Sequence, residues 1–187
     1  MPTHSAGLLL YRVEPGGGTA GEPDRAPGRR LQVLLVHPGG PYWARRDEGC
    51  WSIPKGEVRD GEDQLAAAER EVAEELGIPA PSGERIPLGE VVQAGGKHVQ
   101  AWAVAGDLDV SVVESGTFEL EWPPRSGRLQ SFPEVDRAGW FGLDDAREKI
   151  LPGQQPLLDR LQSALVRAPV AREAVAQAPV ARTDGAT

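Results

Sequence analysis

Cysteine is almost absent from this chain. The single one, Cys50, cannot close an internal disulfide, and it argues against a structural zinc site built on cysteines. Long apolar runs are missing too. No stretch approaches about 18 consecutive apolar residues, so nothing reads as a membrane-spanning helix. The opening segment MPTHSAGLLLYRVEP has no basic start and no signal-peptide cleavage pattern. A cytoplasmic protein without a membrane partner is therefore the expectation. Positive charge is in short supply: 20 Lys and Arg stand against 28 Asp and Glu, a formal net charge of −8. That balance argues against duplex nucleic acid as a partner, since such binding relies on Lys and Arg over phosphates. It leaves a small phosphate ligand open, because a metal ion can supply positive charge locally. No Ser-His-Asp or Cys-His nucleophile set can be assembled from the sequence.

What is present suits one globular domain with a real core: 187 residues, 40% of them hydrophobic. Gly and Pro are abundant, so loops are generous. Ala6–Val13 and Leu31–His37 read as strands, and the Gly- and Pro-rich segment between them as a loop insertion over about 14–30. A short strand is expected near Trp51–Ile53. ERIPLGEVVQ and KHVQAWAVAG read as strands joined by a hairpin at Gly95–Gly96. DLDVSVV and TFELEW are further strand candidates, and AGWFGLDDAREKI reads as a strand entering a helix. QPLLDRLQSALVR is an amphipathic helix with Leu157, Leu158, Leu161 and Leu165 on one face. Residues 167–187 repeat APVAR and read as a disordered low-complexity tail.

The informative stretch is WSIPKGEVRDGEDQLAAAEREVAEELGI, Trp51 to Ile78. Asp63 is a plausible N-cap, and Gly77 followed by Pro79 closes a helix over Gln64–Leu76. Leu65, Ala68, Val72 and Leu76 form its apolar stripe. Glu71, Glu74 and Glu75 converge on a second face at the C-terminal end. Like charges at this spacing repel, and the helix dipole disfavours negative charge there. Only Arg70 is near enough along the helix to offset them. An outside cation is the natural compensation, and carboxylate oxygens suit Mg²⁺ or Mn²⁺. Gly56 permits close backbone approach and offers a carbonyl ligand. Glu62 and Arg70 are placed to pair and brace the loop against the helix.

These residues resemble the Nudix box. Gly56 opens it, Glu62 follows after five residues, and Arg70-Glu71 after seven more. Val72 takes the first aliphatic position; Glu74-Glu75, Gly77 and Ile78 complete it. All nine fixed positions over 23 residues match. The resemblance extends over roughly residues 4–166 and implies an α/β fold, an α/β/α sandwich with a mixed sheet. It implies hydrolysis of a nucleoside diphosphate linked to another group, by water attack at phosphorus. Glu71, Glu74 and Glu75, with the Gly56 carbonyl, would be metal ligands for Mg²⁺, or Mn²⁺. Arg70 and Glu62 would complete the catalytic set.

The box does not fix the general base; Glu119, Glu121 and Glu134 are the candidates. Glu119 and Glu121 share one side of a strand, and Glu134 precedes Trp140 by six residues. Lys55, Arg45, Arg46 and Trp43 are candidate contacts for a nucleotide-like small molecule, the lysine and arginines for phosphates and the tryptophan for a base. Pro54-Lys55-Gly56 resembles the branch that cleaves dinucleoside or diphosphoinositol polyphosphates. The later residues that mark ADP-ribose and dinucleoside polyphosphate hydrolases are missing from VVQAGG. A dinucleoside polyphosphate is the first substrate expected, a nucleoside triphosphate or ADP-sugar the next. The alternative of another class is a nucleotide sensor without turnover, which the intact box disfavours.

Overall fold

The computed structural model describes residues 4–14 and 30–167. The loop insertion and the tail lie outside them, apart from their end residues. The elements are β1 (His4–Glu14), β2 (Arg30–Pro38), β3 (Lys55–Glu57), α1 (Gln64–Leu76), β4 (Ile86–Val92), β5 (His98–Ala105), β6 (Thr117–Glu121), β7 (Leu129–Pro133), β8 (Val135–Gly142), α2 (Leu143–Lys149) and α3 (Gln155–Arg167). Short 3₁₀ turns at Val110–Val112 and Pro152–Gln154 join some of them.

The main sheet runs β4-β5-β1-β2-β8, with β3 paired to β1. It is mixed: β1 and β5 are parallel, and the other pairs antiparallel. Side chains alternate between its faces. Ala6, Leu8 and Leu10 of β1, with Leu34 and Val36 of β2, pack on Ala67, Ala68, Val72 and Leu76 of α1. Leu9, Tyr11, Val33 and Leu35 face the other way, onto Ala146, Ile150, Leu157, Leu158 and Leu161. Helices thus cover both faces, giving the expected α/β/α sandwich. No helix among the described residues is long and apolar enough to cross a membrane.

Three local expectations are corrected. Around Trp51–Ile53 there are only isolated bridges, Ser52 to Val36 and Trp51 to Ile150. The strand lies four residues later, at Lys55–Glu57, where a register on β1 is available. The segment DLDVSVV forms the 3₁₀ turn capped by Asp109, whose side chain accepts from Ser111 N–H at 2.9 Å. On α1 the stripe is shifted: Ala67 is buried and Leu65 only partly so. The Gly95–Gly96 hairpin forms as expected, with both glycines at positive φ. TFELEW supplies β6, which pairs with β7 in a separate two-stranded sheet.

Candidate functional site

The caps expected for α1 are formed. The Asp63 side chain accepts from Leu65 and Ala66 N–H, each at 3.0 Å, and Gly77 adopts φ 71°, the left-handed conformation that ends the helix. This fixes the rotation of the helix, and burial of Val72 and Leu76 sends Arg70, Glu71 and Glu74 to the opposite side.

Arg70 holds that side together. Its Nε and Nη2 donate to the two Glu62 oxygens at 2.8 and 2.9 Å, a bidentate pair. Nη1 donates to Glu71 at 2.5 Å and to Glu74 at 2.9 Å, and Nη2 also reaches the Glu57 carbonyl at 3.0 Å. The Arg70 side chain draws the Glu62 carboxyl down to about 2, helped by the Arg59 N–H. Arg59 adds a bond from Nη2 to Glu74 at 3.1 Å. The local charge compensation is therefore richer than helical spacing alone indicates. Arg59 reaches in from the loop, at a position the box leaves free, so no pattern announces it.

Gly56 sits opposite Ala6 on the α1 side of the sheet, and a Cβ there would run into the Glu71 carboxylate. The glycine is required by that approach. Beside it the Lys55 N–H donates to Glu75 Oε2 at 3.1 Å. Burial raises the Glu75 carboxyl to about 7; the charge and N–H of Lys55 oppose this, while Glu71 and Glu134 add to it. Burial likewise lowers the Lys55 ammonium. Gly56, Glu71, Glu74 and Glu75 are all brought to one end of α1. Among the described residues no three His, Cys, Asp or Glu side chains are grouped as a ready-made ion cage. Glu71 and Glu74 are turned to Arg70 and Glu75 to the β3 backbone. The donor set is all oxygen, and the Glu71 carboxylate lies directly against the Gly56 backbone. That chemistry fits a hard divalent ion, once side-chain rotation releases the carboxylates.

The base candidates separate. Glu134 lies close enough to Glu75 for its charge to be felt there. Its backbone is tied to Gly116, whose N–H reaches the Glu74 carbonyl at 3.4 Å. Glu121 instead accepts from Gly127 N–H at 2.7 Å, inside its own hairpin. Glu119 is exposed on the same side of β6.

The loop after β2 carries the other candidates. The Arg46 guanidinium stands 5.3 Å from the Trp43 ring, and Trp43 packs partly on the core. Arg45 is exposed. Tyr42 meets Trp122 edge to face at 5.3 Å, linking this loop to the β6–β7 hairpin. Buried His37 clamps the loop, with Nε2 2.9 Å from the Arg46 carbonyl and Nδ1 2.6 Å from Asp136. Neither Arg45 nor Arg46 pairs with the box glutamates. Cys50 is buried, and burial pushes its thiol up, consistent with an inert side chain.

Comparison with known proteins agrees with this geometry. The NUDIX domain model matches residues 25–161. An 8-oxo-(d)GTP phosphatase of Mycolicibacterium smegmatis is 30% identical over 161 residues, covering 83% of this chain and 40% of that protein. The chain thus spans less than half the length of that relative. An RNA pyrophosphohydrolase of Caulobacter vibrioides is 29% identical over 147 residues, covering 71% of this chain and 81% of that one. In fold, an Ap4A hydrolase of C. elegans, solved as a binary complex, superposes with a TM-score of 0.57 at 24% identity, over 87% of this chain and 98% of that one.

Proposed function

Because the chain belongs to the Nudix family, we propose that it is a divalent-metal-dependent pyrophosphohydrolase acting on a nucleotide-like substrate. The carrying observation is Gly56 held against the Glu71 carboxylate, with Glu74 and Glu75 on the same end of α1. The Gly56 carbonyl, Glu71, Glu74 and Glu75 would hold Mg²⁺, or Mn²⁺. When bound, the ion supplies charge neutralisation for the phosphates and a water of lowered pKa.

The chain's own residues do the rest. Glu62 and Arg70 lock the loop onto the helix, so the glutamates are pre-positioned. Lys55, the first residue of β3, supplies a positive charge to a phosphate of the substrate. Glu134 takes the proton from the attacking water. Its closeness to Glu75 supports it over Glu119 and Glu121. Water attack at phosphorus breaks the anhydride, and the second phosphate leaves with the bond electrons.

A dinucleoside polyphosphate is the first substrate we propose, supported by Lys55 immediately before the box. A nucleoside triphosphate is the second reading, supported by the name of the mycobacterial relative. Release of phosphate or nucleotide from dinucleoside polyphosphates, nucleoside triphosphates, ADP-ribose and diphosphoinositol polyphosphates, with and without Mg²⁺, decides between them. Metal-dependent turnover of dinucleoside polyphosphates above the others supports the first reading. Turnover of none of them contradicts the hydrolase.

A further inference from the structure

Glu74 is held by two arginines, one on each oxygen. Oε2 accepts from Arg70 Nη1 at 2.9 Å, and Oε1 accepts from Arg59 Nη2 at 3.1 Å. A Mg²⁺–oxygen bond is about 2.1 Å long. An ion on Oε1 would therefore stand no more than about 5 Å from the Arg59 nitrogen. Two cations that close repel. A divalent ion thus gains Glu74 by driving one arginine off it.

The surroundings decide which arginine yields. The Arg70 side chain is only 18% exposed, and it also donates to both Glu62 oxygens, to Glu71 and to the Glu57 carbonyl. The Arg59 side chain is 65% exposed, and among the described residues its guanidinium has the Glu74 bond alone. Exposed ion pairs of this kind hold weakly. Arg59 is the one that lets go.

Its backbone stays where it is. Arg59 N–H donates to Glu62 Oε2 at 2.9 Å, and Glu62 N–H donates back to the Arg59 carbonyl at 3.0 Å. Gly61 sits third in this turn at φ 75°, a conformation that favours glycine. Glu62 is itself clamped by Arg70. Arg59 is therefore mounted on the same brace that positions the glutamates, and only its side chain is free to swing. The guanidinium fork matches phosphate oxygens, and an ion at the glutamates brings phosphate beside it.

We propose that Arg59 serves two partners in turn: Glu74 until a divalent ion takes that carboxylate, then a phosphate oxygen of the substrate. The proposal rests on the metal-dependent pyrophosphohydrolase reading and deepens it. Arg59 then opposes binding of the ion alone and favours ion and phosphate together, a coupling that is reciprocal between the two ligands. Position 59 is one the box leaves open, so this device belongs to the chain and not to the pattern.

Two titrations of the full chain test this, each on the parent, Arg59→Gln and Arg85→Gln. Arg85 pairs with Glu69, on another face of α1, so its loss changes the charge equally but away from Glu74. The first follows Mn²⁺ binding without substrate by electron paramagnetic resonance. Arg59→Gln should bind at least threefold tighter than the parent, and Arg85→Gln within 1.5-fold of it. Unchanged or weaker binding in Arg59→Gln, or an equal gain in Arg85→Gln, overturns the proposal. The second is calorimetry with imidodiphosphate, a pyrophosphate analogue with a nitrogen bridge, in excess Mg²⁺. Here Arg59→Gln should bind at least fivefold more weakly, and Arg85→Gln within twofold of the parent. No binding to the parent, or equal binding in the parent and Arg59→Gln, overturns it. A merely structural Arg59 would weaken both ligands; opposite signs are the mark of the exchange. Absence of Mn²⁺ binding in parent and Arg59→Gln alike sinks the metal-dependent reading and the proposal with it. Both titrations as expected, with no nucleotide cleaved, sink the hydrolase reading alone.

Discussion

At the scale of single residues, Gly56 and Arg70 are the two that the site tolerates changing least. Gly56 has no room for a methyl group, because the Glu71 carboxylate occupies it. Gly56→Ala must displace either the helix side chain or β3, and overpacking of this kind costs about 1–3 kcal/mol. Equilibrium urea unfolding should show that loss, and metal-dependent turnover should fall at least tenfold as Glu71 is pushed aside. Arg70 serves three carboxylates and a carbonyl with one planar group. Lysine keeps the charge but cannot form the bidentate pair with Glu62. Arg70→Lys should therefore lower kcat with a smaller effect on KM, a split that steady-state kinetics reads directly. Every residue of the box was legible in the sequence, because their fixed spacing on a helix has a geometric meaning. Arg59 and Gln154 were not. Arg59 reaches Glu74 from a loop and Gln154 receives the Ile53 N–H from a 3₁₀ turn, and no local pattern encodes where those pieces come together.

At the scale of elements, α1 is stabilised by its two ends as much as by its buried stripe. Asp63→Ala removes two backbone N–H bonds and should cost about 1 kcal/mol. Gly77→Ala forces a Cβ into the left-handed region, at about 1 kcal/mol, and against the Glu114 carbonyl besides. Both losses are readable as shifts of the thermal midpoint.

The loop after β2 is anchored differently, through Asp47. Its carboxylate accepts from Lys149 at 2.6 Å and from the Trp51 indole at 3.0 Å, and these two bonds, Lys149 first, hold its pKa below the usual carboxylate value. A depressed carboxylate contributes stability above its unfolded pKa and loses it as pH falls through the folded one. Asp47→Asn should thus be less stable than the parent at pH 7, and the gap should close as pH drops below about 4. A gap independent of pH in paired denaturation curves would contradict this assignment.

The long strands, α1 and α3 could be read from apolar runs and periodicity. The three-residue β3, the β7 strand and the 3₁₀ turn at Val110–Val112 could not. Such short pieces take their conformation from neighbours: β3 from β1, and β7 from β6. The parallel β1–β5 pairing joins segments far apart in sequence, and periodicity carries no information about partners.

At the scale of the whole molecule, a net charge of −8 is at odds with a phosphate-rich ligand unless cations gather where it binds. The fold brings Lys55 and Arg59 to the glutamate end of α1, whose oxygens fit a divalent ion: the Lys55 N–H donates to Glu75 and the Arg59 guanidinium to Glu74. The sheet under α1 is set by β1, which pairs with β5 on one side and with β2 and β3 on the other. Composition argues against duplex nucleic acid as a partner, but only the folded sheet brings the acidic and basic residues side by side.

The most direct measurement is Mg²⁺-dependent cleavage of a dinucleoside tetraphosphate by the parent and by the Glu74→Gln/Glu75→Gln protein, with thermal unfolding of both. The account predicts turnover by the parent, a loss of at least a hundredfold in the variant, and an unfolding temperature that is not lowered. Equal turnover in the two proteins, or loss of turnover only through loss of the fold, would contradict it.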